Sequence, residues 1–385
     1  MLQRLVDFFP SMKRQYFRSL AARLVSCVVA LTVFTMADAA DVSRNTKSAQ
    51  GLLSNTLNSR NSIYSTTLNI LPEDGRDIYL EAFKAARSQI RIHICVLDDP
   101  EILQGLKQAI VRGVRVRAIV DNGKHAALAA ERSNLAEYLQ GPSAQLHVSN
   151  PVFPRSFPKI ILIDDSYFLL GSACLDTTTF NQYRDFVYGD RSPEVLKDLS
   201  RLFENDWLYS APPGRAFSAY NPVSVFTSPD LLVAPINATQ RLVTLFQSAK
   251  KSLDVTSELM GNPTLEAELA AAASRGVKVR LIAPELVNGG TQDIQVLQLN
   301  SLRKLNAAGV AVHVTRGPES FQTPYMHARS AIVDRKSAYL GSISLSPDSA
   351  TRNRGVGLIL KDVGVVAKLQ RRFDGDFEGK SAPVN

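Results

Sequence analysis

Long hydrophobic runs are scarce in this chain of 385 residues. The apolar stretch from Leu24 to Ala37, LVSCVVALTVFTMA, falls short of the roughly 20 residues that a membrane-spanning helix needs. Basic residues precede it and Ala37-Asp38-Ala39 follows it, so residues 1–39 are expected to be an export signal to the periplasm or outside the cell. An uncleaved inner-membrane anchor is the alternative, and a start at Met12 would give a signal of more ordinary length. Cysteine is also sparse: of three, Cys27 lies in that stretch and only Cys95 and Cys174 lie beyond it. That excludes a disulfide-dense scaffold. Export would allow those two to pair, but two buried free thiols are the expectation, because spacing alone does not establish pairing geometry. No run of basic residues interleaved with aromatics is present, the pattern that tracks a single nucleic-acid strand.

The rest is ordinary globular composition, 45% apolar and 21% charged, in a chain long enough for two domains with cores of their own. The formal charge is +8; five of the 44 basic and two of the 36 acidic residues fall in 1–39, leaving +5 for the remainder. This favours anionic partners such as phosphates, but only weakly.

The chain is duplicated. FPKIILIDDSYFLLGS from Phe157 to Ser172 is matched by HARSAIVDRKSAYLGS from His327 to Ser342, an offset of 170. Each copy has a basic residue (Lys159, Arg329), an acid five positions on (Asp164, Asp334) and then Gly-Ser. FENDW from Phe203 and FDGDF from Phe373 share that offset. AFKAARSQIRI from Ala82 and LFQSAKKSLDV from Leu245 are offset by 163, as are RGVRVRAIVD from Arg112 and RGVKVRLIAP from Arg275. So long a period excludes a solenoid and points to two homologous halves facing each other. A flexible arm at 40–71, a first half at 72–210, a Pro- and Ser-rich linker at 211–230 and a second half at 231–385 are expected. Helical patterns alternating with short β-branched runs predict α/β halves, each with a largely parallel sheet. Within each box a buried strand is expected after the basic residue, and Gly-Ser should end a second strand.

The boxes resemble those of the phospholipase D superfamily, which carries His-x-Lys-x4-Asp and a following Gly-Ser-x-Asn once in each of two α/β halves. The resemblance extends over almost all of residues 72–378. It implies halves packed pseudo-symmetrically around one central cleft. One histidine attacks phosphorus, the other protonates the leaving oxygen, and no cofactor or metal is used. It further implies that Lys159, Arg329, Ser172, Ser342 and Ser344 hold phosphoryl oxygens, and that His327, Arg329, Asp334, Lys159 and Asp164 form the catalytic set. The chemistry itself asks for these types: a nucleophile, a proton donor, and fixed positive charge around the equatorial oxygens. A carboxylate in reach of an imidazole would also fix its tautomer.

The departures are as informative. Phe157 stands in place of the first histidine, Arg329 in place of the second lysine, and Cys174 and Ser344 in place of the asparagines. Asp185 is a short substitute for a later glutamate, which is absent at Gly355. Of the other histidines, His93 on the first strand of its half and His125 after the strand ending at Asp121 are candidates to approach the cleft, whereas His147 and His313 are repeat mates read as packing residues. Lys159 and Asp164 are alternatively a strand-end pair left over in an inactive half, and Glu258 is either a cleft acid or a solvated loop acid. The favoured function is an exported phospholipase D-like enzyme of the cardiolipin synthase kind, acting on phospholipids or other phosphodiesters at a membrane surface. The alternatives are a nuclease-type phosphodiesterase acting on nucleic acid, and a non-catalytic descendant binding phosphate groups or a partner.

Overall fold

The computed structural model describes residues 65–123, 139, 142–221 and 226–384. The expected signal at 1–39, most of the expected arm and His125 lie outside the described residues. The first half supplies strands β1 (Thr67–Leu71), β2 (Gln89–Ile94), β3 (Arg115–Val120), β4 (Ala144–Val148), β5 (Ser156–Phe157), β6 (Ile160–Ile163), β7 (Tyr167–Gly171) and β8 (Tyr183–Asp190). The second supplies β9 (Leu231–Ala234), β10 (Ser252–Thr256), β11 (Lys278–Pro284), β12 (Ala311–Thr315), β13 (Tyr325–Met326), β14 (Ser330–Val333), β15 (Ser337–Gly341), β16 (Arg354–Leu360) and β17 (Ala382–Pro383).

They form two sheets, ordered β1-β8-β7-β6-β2-β3-β4 and β17-β12-β11-β10-β14-β15-β16-β5. The sheets are mixed rather than largely parallel. Only β2-β3-β4 and β10-β11-β12 run parallel along these paths within a half. Each box is instead an antiparallel hairpin, β6–β7 or β14–β15. Its reversal is made by consecutive residues of positive φ, Asp164-Asp165 and Asp334-Arg335, the backbone that tight hairpins require. The repeated helices start alike: Asp99 caps Pro100–Val111 and Asn262 caps Pro263–Ser274, each accepting two backbone N–H groups ahead of a proline at the first helical turn.

Two expectations are corrected. The arm at 40–71 ends in structure, because Thr67–Leu71 pairs antiparallel with β8 and buries Leu68, Ile70 and Leu71. Cys95 and Cys174 are joined as a disulfide, with Cα atoms 5.9 Å apart. Their neighbours explain the proximity: Leu175 N–H donates to Val96 O at 3.0 Å, and Asp98 N–H donates back to Leu175 O at 3.0 Å. The repeat mates His147 and His313 are packing residues, stacked on Trp207 and Phe377 with ring centroids 3.8 and 3.7 Å apart.

The halves share one central apolar cluster. Phe168, Phe186, Leu199 and Phe203 of the first pack with Ile332, Leu358, Leu369 and Phe373 of the second. Each half also lends the other a two-residue strand: β5 pairs parallel with β16, setting Phe157 opposite Gly355, and β13 pairs parallel with β8. Two buried ion pairs lock this exchange. Arg184 of β8 meets Asp376, Nε to Oδ2 at 2.8 Å, and Arg354 of β16 meets Asp206, Nη2 to Oδ1 at 2.6 Å. Both guanidinium side chains are fully buried, and the pairs are mates at the 170-residue offset. Burial pushes the Asp206 carboxyl up, but Arg354 and His93 hold it below the usual carboxylate range.

Removing one partner strands a buried charge, which costs about 3–5 kcal/mol. Asp206→Ala, which removes the carboxylate paired with Arg354, is therefore expected to lower the denaturant-unfolding free energy by that amount, and a loss under about 1 kcal/mol would show that the clamp is not structural.

Candidate active site

β13 delivers His327 beside β8, where Asp185 follows the clamp residue Arg184. The imidazole Nδ1 lies 2.9 and 2.8 Å from the two carboxylate oxygens of Asp185. Asp185 is fully buried and also accepts the hydroxyl of Ser172. Burial pushes its pKa up, yet His327, Lys159 and Arg329 hold it below the ordinary value. For His327, burial lowers the pKa more than Asp185 raises it. A neutral ring that donates Nδ1–H to Asp185 carries its lone pair on Nε2, the form a nucleophile needs.

Arg329 lies against that nitrogen. Its Nη1 is 3.2 Å from His327 Nε2 and donates to Ser172 O at 3.3 Å, while Nε donates to Ser344 Oγ at 3.0 Å. Nη2 pairs with Glu258, whose other oxygen accepts from Tyr325 Oη at 3.3 Å. Burial brings the guanidinium pKa down to about 10, so it remains a cation at neutral pH. Lys159, 5% exposed, donates Nζ to the same Ser172 carbonyl. Lys159, Arg329 and His327 therefore converge from opposite halves. A cavity of about 520 Å³ opens beside His327, lined by that residue with Val96, Cys174, Asp176, Tyr183 and Glu258 among others. Among the described residues, no group of three or more His, Cys, Asp or Glu is placed to hold a metal ion.

Several expected roles change. Asp164 and Asp334 do not face His327; they fasten the hairpin turns. Asp164 accepts the backbone N–H groups of Arg87, Ser88 and Gln89 at 2.8, 2.7 and 2.9 Å, and Asp334 those of Lys250, Lys251 and Ser252 at 3.0, 2.7 and 2.9 Å. The Ser172 hydroxyl is spent on Asp185 and Phe186 N–H, and that of Ser342 on the backbone of Val356, so neither is offered to a phosphate. Ser344 orients Arg329. His93 is turned away, 2.8 Å from Ser156 Oγ and 3.4 Å from Asp206.

The site is half of a symmetric one. The mates of His327 and Asp185 are Phe157 and Gly355, which face each other across β5 and β16. The mates of Glu258 and Ser344 are Cys95 and Cys174, and the disulfide stands where the second half places the two groups that grip Arg329. Asp185 was the residue missing from the expected catalytic set. The signal for it is its position 13 residues after Ser172, matching the interval from Ser342 to Gly355.

The family described as "Cardiolipin synthase, PLD-like domain" matches residues 79–207 and 242–377. Cardiolipin synthase A of Pseudomonas aeruginosa is 24% identical over 325 residues, which cover 77% of this chain and 64% of that protein. Cardiolipin synthase 1 of Bacillus anthracis is 23% identical over 336 residues, 78% of this chain and 64% of its own length. The chain thus spans just under two thirds of these relatives. Among solved structures, phosphatidylserine synthase from Haemophilus influenzae superposes with a TM-score of 0.64 at 14% identity, covering 82% of this chain and 87% of that one, a likeness of fold.

Because a carboxylate bonded to backbone N–H groups contributes about 1.5–3 kcal/mol, Asp334→Asn is expected to lose stability in that range in urea unfolding. The folded variant should keep its remaining activity within about tenfold, whereas loss of turnover at unchanged stability would return Asp334 to the reacting centre.

Proposed function

The chain belongs to the cardiolipin synthase, phospholipase D-like family, and on that footing we propose that it cleaves or transfers phospholipid phosphodiesters through a covalent phosphohistidine at His327. The observation that carries this reading is the geometry of one imidazole that lines the cavity, with Nδ1 held by a buried carboxylate and Nε2 beside Arg329. Nε2 attacks phosphorus as the leaving alkoxide departs, and Asp185 stabilises the imidazolium that forms. Arg329 supplies fixed positive charge for the equatorial oxygens, the largest contribution in phosphoryl-type transfer, and Lys159 shares with it the Ser172 carbonyl. Water or an alcohol then displaces the histidine from phosphorus. The names of the relatives, cardiolipin and phosphatidylserine synthases, support a phospholipid substrate and hence a membrane surface as the place of action. Export is part of the proposal; the Cys95–Cys174 disulfide supports it, since such bonds persist in oxidising compartments. The Phe157–Gly355 pair favours a second reading, a phosphate-binding descendant without turnover.

The two readings separate when the purified full chain is offered anionic phospholipid vesicles, an activated phosphodiester and single-stranded DNA. Turnover of the vesicles is expected, lowered by about 10³-fold or more in His327→Ala as for loss of a nucleophile. Equal residual rates in both proteins would leave binding as the function, and preferential cleavage of the DNA would make it a nuclease.

A further inference from the structure

Displacement at phosphorus by one histidine leaves a second requirement unmet, a proton for the departing alkoxide. The titratable groups around His327 are mostly committed. Asp185 holds the imidazole, Glu258 is paired with Arg329 and Tyr325, and His93 faces Ser156 and Asp206. Arg329 keeps its proton. The Tyr183 hydroxyl accepts from Asn288 at 3.4 Å and burial raises its pKa, making it a weaker proton donor, while Asp176 is taken up by Thr179 at the start of its helix.

Lys159 remains. We propose that Lys159 is the general acid and base of the reaction, giving a proton to the leaving alkoxide and recovering one from the attacking water or alcohol. This rests on the phosphohistidine reading. Three observations place it there. Its Nζ is bonded to the Ser172 carbonyl that also accepts Arg329 Nη1, and that same Nη1 touches His327 Nε2, so the amine stands within three contacts of the nucleophile. An ammonium has three donors, and a single carbonyl occupies one of them. The half that lost its imidazole at Phe157 keeps a cation able to release a proton, whereas the half with His327 carries an arginine.

The backbone is also unusual at this residue. Among the described residues, five non-glycine residues have positive φ, and four of them lie in the mated hairpin turns. The fifth is Lys159, with φ of 54°, and its mate Arg329 does not share it. A backbone held in a sparsely populated region is characteristic of a functional position. Burial and the nearby Arg329 charge both push the amine well below the usual lysine range, while Asp185 and Asp176 pull it back. The steps balance. In the first, the P–Nε2 bond forms, the P–O bond breaks, and the Nζ proton goes to the alkoxide. In the second, the acceptor O–H gives its proton to neutral Nζ as oxygen replaces Nε2 on phosphorus.

The test compares leaving groups. Lys159→Arg keeps positive charge without a transferable proton, so phospholipid turnover should fall about 10²–10⁴-fold. The single-turnover burst of p-nitrophenolate from a p-nitrophenyl phosphodiester, whose leaving group departs without a proton, should fall less than about tenfold. Equal falls on both substrates, or none, would overturn the proposal and reduce Lys159 to charge or packing. Should the arginine variant fail to fold, Lys159→Gln is compared in the same way, and the lipid rate must still fall at least about 10²-fold more than the activated one. His327→Ala marks the boundary with the underlying reading: if it spares both substrates, the phosphohistidine itself is wrong.

Discussion

Two buried arginines hold the halves in the one register at which a site exists. Arg184 and Arg354 sit at the same point of the repeat, each reaching an aspartate on the opposite half's long C-terminal helix. A buried ion pair adds little net stability over an apolar equivalent, but a mismatched one is costly. Its effect is to exclude other alignments of two similar sheets. The residue after each clamp is the one that faces the exchanged strand: Asp185 meets His327, and Gly355 meets Phe157. The Asp185 carboxylate and the His327 imidazole thus come from different halves, and the contact that joins them depends on the contact that joins the domains.

That dependence gives a physical reason why the two halves differ in pairs of residues. With Phe157 in place of an imidazole, a carboxylate at 355 would be a buried charge without a partner, which is strongly unfavourable. Glycine removes the charge. The space does not welcome a replacement either, since a Cβ at Gly355 would come within 2.8 Å of Ile343 Cγ1. The same coupling appears at Cys95 and Cys174. Their mates, Glu258 and Ser344, exist to hold a guanidinium, and beside a lysine the first half carries a covalent link instead. What survives there, Lys159 and the Ser172 support of Asp185, is what the second half still uses.

The duplication was legible because a repeat preserves spacing, and spacing is what a sequence displays. It gave the two α/β halves, the hairpins ending in Gly-Ser, and His327, Arg329 and Lys159 as groups to be brought together. It did not show direction. Asp164 and Asp334 keep the interval of the box, yet they point at backbone N–H groups from the preceding segment, a contact made across about 75 or 80 residues of chain. Asp185 stood at a recognisable offset, but its partner lies 142 residues away in the other half. The strand at Thr67–Leu71 was hidden by the polar stretch before it. The disulfide depends on a Cα separation that no spacing reveals.

A single nucleophile, His327, carries the proposed chemistry, and a chemical trap addresses it directly. Brief reaction of the full chain with an activated phosphodiester, followed by rapid quench and peptide mass spectrometry, should find an acid-labile phosphoryl adduct on the peptide containing His327. An adduct on any other residue, or turnover with no adduct at short times after an alkaline quench, would contradict it.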